Sequence, residues 1–154
     1  MSAQDKQELA ETIGEHHFFK GLPKEHLELL ASCASYQHFE DNQYLGRQGE
    51  RTQYFYLVLR GRIALEASGV AVQDVEPDEI LGWSWLVPPY NWRFDARAAE
   101  ASRTIALEAK SLRDLCDNHP AMGYELLRRL VQVTAQRLET TRQQLVDNTR
   151  RADA

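Results

Sequence analysis

The chain has two cysteines in 154 residues, Cys33 and Cys116, far apart and without CxxC spacing. That excludes a disulfide framework and a zinc ribbon. It points to two packing thiols in a reducing compartment, a redox pair being the alternative. Long apolar runs are missing too. None approaches the roughly 18 residues of a membrane-spanning helix, and residues 1–15 hold no apolar stretch of the kind a signal peptide carries. The expected location is the cytoplasm, with no membrane partner. Histidines are few (His16, His17, His26, His38 and His119), and only His38 falls in a strand-like stretch. A mononuclear metal site needs histidines clustered with a carboxylate on barrel strands, so no metal is expected. His119 reads as a helix-start residue and His16-His17 as a solvated pair, not as haem ligands.

Nucleophile motifs, a P-loop and paired catalytic carboxylates are also lacking. Glu76, Asp78 and Glu79 cluster, but as a solvated acidic turn before Ile80. An enzyme is not expected. The net charge of -5 speaks against nucleic acid as a partner of the whole surface.

What is present is a run of short strands punctuated by glycine, followed by helix. Gln4 to Thr12 fits a short amphipathic helix, and Pro23 opens a second with Leu27, Leu29, Leu30 and Cys33 on its buried side. Tyr36 to Phe39 alternates as a strand, and Tyr54 to Leu59 is rich in aromatic and branched residues. Ile63-Ala64-Leu65, a Ser68-Gly69 hairpin turn, and alternating Val70, Val72 and Val75 follow. Residues 83–92 form a loop or short helix with three tryptophans and Pro88-Pro89. Arg93 to Ala99 and Thr104 to Ala109 close the barrel. The organisation expected is a helical extension over 1–17, a β-roll over 18–118 and a long helix over 119–150.

Along that last helix Tyr124, Leu127, Val131, Thr134, Leu138, Thr141, Leu145 and Asn148 recur at alternating spacings of three and four. This is a coiled-coil seam. Beyond Val131 the stripe is narrow and flanked by polar residues, which predicts a partner helix and a parallel homodimer.

Phe19-Lys20-Gly21-Leu22, Arg47-Gln48-Gly49-Glu50, Tyr56 to Ile63 around Gly61, and Glu79-Ile80-Leu81-Gly82 stand in an order that carries a resemblance. Over roughly residues 18–145 the chain resembles the cyclic-nucleotide-binding domain of the catabolite activator and fumarate-nitrate regulator type. The resemblance implies a mainly β fold with flanking helices: a jelly-roll barrel (double-stranded β-helix) plus a long C-terminal dimerisation helix. It also implies a phosphate-binding cassette starting at Gly82, with cyclic AMP or cyclic GMP as the ligand. In the family a glutamate after the glycine accepts from the ribose, while an arginine and backbone amides hold the phosphate.

Here Trp83 follows Gly82 where the family has Glu. Arg93 lies one residue beyond the usual spacing and precedes Phe94, whereas Arg97 precedes the small Ala98. One of the two arginines is expected to face solvent or the opposite side. The candidate ligand residues are therefore Gly82, Trp83, Ser84, Arg93, Phe94 and Arg97. Three readings stand open: a modified cyclic-nucleotide site, a flatter ligand stacked on the indoles, or a mouth plugged by Trp83, Trp85 and Trp92. The family's regulators carry a winged helix-turn-helix after the long helix. With the sequence ending at Ala154, direct DNA binding is not expected. The function expected is a stand-alone regulatory module that signals through its dimer helix to a partner protein. The alternatives are a ligand-free interaction scaffold and a component of a transcription system that lacks its own DNA-binding domain.

Overall fold

Strand β3 (Tyr54–Arg60) shows how the chain layers itself, because both of its faces are buried. Successive side chains of a strand point to opposite sides. Tyr56 and Val58 therefore join one cluster, with Ile63, Leu65, Val75, Leu81, Trp92, Ala96, Ala98 and Ala106, which fills the interior of the roll. Phe55 points the other way, its ring 5.6 Å from Phe18 and 5.7 Å from Trp85. Burying each such side chain contributes about 1.5–3 kcal/mol.

The computed structural model describes residues 2–153. In chain order the elements are α1 (Ala3–Glu15), α2 (Lys24–Ala31), β1 (Ala34–Phe39), β2 (Tyr44–Gly46) and β3. Then come β4 (Ile63–Ala67), β5 (Val70–Val75), β6 (Ile80–Leu81), β7 (Asp95–Ala98), β8 (Ser102–Glu108), α3 (Ala109–Asn118) and α4 (Pro120–Ala152). Two four-stranded sheets, ordered β1-β8-β3-β6 and β2-β7-β4-β5, are antiparallel throughout and make the jelly roll. The β4–β5 hairpin turns through Ser68 and Gly69, both at positive φ, as a two-residue connection that follows the strand twist demands. The chain divides into two compact units, one through Asn118 and one from His119. Helix α1 lies in the first of these. Among the described residues no helix is long and apolar enough to cross a membrane, and no three His, Cys, Asp or Glu side chains gather as a metal set.

Helix α1 starts at a capping box in which the Ser2 hydroxyl accepts from the Asp5 N–H at 3.1 Å. Beyond its end, one reading of the sequence needs correcting. His16 is not half of a solvated pair: it is 2% exposed. Its Nδ1 accepts from the Phe18 N–H at 3.2 Å, so the proton sits on Nε2, which donates to the Glu79 carbonyl at 3.2 Å. A side chain that looked polar thus pins the N-terminal segment to the turn before β6.

Burial holds the His16 pKa below its ordinary value of 6.5, against the opposing pull of Asp78 and with a small push from His17. The unfolded chain therefore takes up a proton more readily, so stability is full above about 6.5 and is lost as pH falls below it. The melting temperature should fall more steeply between pH 7.5 and 5.5 in the native protein than in His16→Gln. Parallel slopes would remove His16 as the cause.

Cys33 sits in the turn after α2 and not within the helix, while Cys116 lies on α3. Burial pushes their thiols up to about 12 and about 11, so both stay protonated and unreactive near neutral pH.

Candidate ligand-binding site

The segment from Gly82 to Trp92 is built around one backbone choice. Gly82 has φ of 90°, a left-handed conformation that L side chains resist, and a Cβ there would meet the Tyr54 carbonyl oxygen at 2.8 Å. The chain then makes a 3₁₀ turn over Trp83–Trp85. Trp83 is half-buried. Ser84 is buried, its hydroxyl 2.6 Å from that of Thr52, so its polar group is already satisfied within the protein. Trp85 is buried against Phe55, on the outer side of β3 and not inside the roll.

Residues 86–92 are held from two directions. Arg113 of α3 donates to the Trp85 carbonyl at 2.8 Å, and its guanidinium lies 4.2 Å over the Tyr90 ring. From the other side, the Thr52 N–H donates to the Tyr90 carbonyl at 2.7 Å and the Trp92 N–H to the Glu50 carbonyl at 2.8 Å. Arg51 and Asn91 form an isolated bridge between these stretches. The closing strand expected from Arg93 accordingly begins only at Asp95, since residues 90–92 pair with a turn and not with a strand.

Phe94 is half-buried against the roll interior. Arg93 is exposed, and no ion pair or hydrogen bond engages it among the described residues. Arg97 sits on the outward side of β7, between the buried Ala96 and Ala98. It pairs with Glu66 at 3.3 Å and donates to Asn42 Oδ1 at 2.9 Å. The hydrogen bonds it donates to Glu66 raise its pKa further, so this guanidinium is occupied within the protein.

Inside the first unit lies a cavity of about 430 Å³, lined by Leu45, Gly46, Glu50, Arg51, Gln53, Tyr54, Tyr56 and Trp92. None of the six candidate residues lines it. Trp92 forms one wall, its ring 6.3 Å from that of Tyr56, and Tyr54 lies 5.8 Å from Tyr56. Gly46 is what admits the indole: a Cβ there would overlap the pyrrole edge of Trp92. In the sequence, Arg47-Gln48-Gly49-Glu50 stands as one of the segments that carry the family resemblance, not as a candidate wall of a site. The usable signal was the alternation that puts Tyr54 and Tyr56 on one face of β3, with a charged pair just before them.

Comparison with known proteins agrees with this architecture. The family model described as "Cyclic nucleotide-binding domain" matches residues 36–119. No curated protein sequence gives a significant match. A putative cyclic nucleotide-binding protein from Geobacter metallireducens superposes with a TM-score of 0.79 at 26% identity, over 84% of this chain and 97% of that one. The sensor domain of the transcriptional regulator DNR from Pseudomonas aeruginosa gives 0.63 at 24% identity, over 85% and 94%. A cAMP-binding acyltransferase from Mycobacterium smegmatis gives 0.69 at 27% identity, over 90% of this chain but only 43% of its own length.

Proposed function

The chain belongs to the cyclic nucleotide-binding domain family, and from that premise we propose that it is a non-enzymatic regulatory module that senses a small ligand in the roll. Its output is a homodimer built on α4, read by a partner protein in the cytoplasm. The cavity of about 430 Å³ carries this reading, because its size and aromatic walls suit a small molecule.

Helix α4 supports the second half. Leu127, Val131, Leu138 and Leu145 are 46–67% exposed along one stripe, an arrangement a helix keeps for a partner. The Thr141 hydroxyl donates back to the Arg137 carbonyl at 2.9 Å, which turns the side chain into packing and register material. Arg128 and Arg142 are neutralised on their own helix by Glu125 and Glu139. A ligand acts on such a module only as far as it prefers one arrangement over another.

The test is a titration with cyclic AMP and with cyclic GMP, following tryptophan fluorescence and melting temperature. Trp92 lines the cavity, so occupancy should change the emission. A hundredfold excess over Kd should add about 2.7 kcal/mol of stability. Flat traces and an unmoved melting temperature with both nucleotides would favour the second reading, a ligand-free interaction scaffold. The burial of Trp85 and Trp92 is the observation on that side.

A further inference from the structure

The polar atoms around the cavity are mostly donors, and among the described residues they have no side-chain partner within the protein. Tyr56 is 3% exposed, yet its hydroxyl has no hydrogen-bond partner among the described residues. Burial and the neighbouring Tyr54 push its pKa well above the ordinary phenol value, so it stays protonated and keeps a proton to donate. Trp92 is 5% exposed and its indole N–H is likewise unpaired. Among the described residues the Arg51 guanidinium has no ion pair, while its backbone bridge to Asn91 fixes where that side chain starts. Gln53 adds an uncommitted amide.

The one group on the wall with only acceptors is Glu50, and one of its oxygens accepts from the Arg47 N–H at 2.9 Å. Tyr56 lines the cavity, so a bound acceptor would take the place of water at its hydroxyl. A guanidinium, a phenol and an indole N–H lining one cavity are a donor set for an oxyanion, since charge-assisted bonds are the strong ones. Three aromatic faces favour a ring on the same molecule. The Glu50 carboxylate disfavours a second negative charge.

We propose that this cavity takes a ring-bearing organic monoanion, with its charged oxygens held by Arg51, the Tyr56 hydroxyl and the Trp92 N–H, and its ring against Tyr54 and Trp92. The anion clamp of the module then lies on the turn before β3 and not at Arg93 of the glycine-led segment. This rests on the ligand-sensing reading above and says which atoms do the sensing. A phosphodiester and a carboxylate share the required chemistry, and the test separates them.

Calorimetric titrations would use cyclic AMP as the phosphodiester probe and benzoate as the carboxylate probe. The proteins compared are the native chain, Arg51→Gln, Tyr56→Phe and Arg93→Gln. At least one probe should bind the native chain. Arg51→Gln and Tyr56→Phe should each weaken that binding tenfold or more, and Arg93→Gln by less than threefold. Tyr56→Phe without ligand should melt no lower than the native chain, because the lost hydroxyl had no internal partner; a clear drop would assign it a structural bond and overturn its role. Binding that vanishes in Arg93→Gln but survives in the other two overturns the clamp and leaves the sensing function standing. Absence of binding by either probe at millimolar concentration overturns both.

Discussion

Gly46→Ala should cost about 1–3 kcal/mol of stability, the range typical of overpacking a filled interior. For a chain of this size that is a fall of roughly 3–10 °C in melting temperature. The cause is specific: the new methyl group would occupy the space of the Trp92 pyrrole edge. The indole is buried in the roll cluster, so it can yield only by moving into the cavity it lines. Ligand binding should weaken with stability. Trp92→Phe removes the five-membered ring that makes the contact, so the two changes together should cost less than their sum, by about 1–3 kcal/mol. Strict additivity in a double-mutant cycle of melting curves would show that the close approach of β2 to Trp92 is not what glycine serves at this position.

Placing two charges on the α4 stripe, Val131→Glu with Leu138→Glu, should weaken self-association at least a thousandfold. Each apolar side chain covered at the seam contributes about 1.5–3 kcal/mol, and a parallel pair loses two copies of each. Facing glutamates add repulsion, so a loss of about 4 kcal/mol, equal to three decades in Kd, is a lower bound. Sedimentation velocity should show a change from twice the chain mass to once. Thr140→Glu, on the same helix but off the seam, should leave the mass doubled. A native chain that already sediments as a monomer at high micromolar concentration would refute the paired helix.

The strands were largely legible because their signals are local. Tyr54 to Leu59 alternates with aromatic and branched residues, and the hairpin at Ser68-Gly69 carries its own turn chemistry. What could not be read is what depends on distant neighbours. That β3 is buried on both faces follows from the N-terminal segment folding over it, which no window around β3 contains. His16 looks solvated in isolation, and its partner carbonyl lies 63 residues away. Arg93 and Arg97 stand four residues apart, which regular alternation would put on one face; it is the start of β7 at Asp95 that leaves Arg93 outside the strand. The partner that claims Arg97, however, is Glu66 on β4, fixed by a register that sets Ala64 opposite Arg97. The cavity was hidden for the same reason: its walls come from β2, the turn after it, β3 and Trp92, which are brought together by long-range bonds.

Arg113 has a last consequence. By gripping the Trp85 carbonyl while stacking on Tyr90, it leaves residues 86–92 poorly suited to swing aside as a lid. Traffic in and out of the cavity then passes the exposed side chains of Arg51 and Gln53, which reorient in picoseconds to nanoseconds. Under the proposed sensing function, ligand arrival at such a doorway would be paced by diffusion, and residence time would set how long the signal lasts.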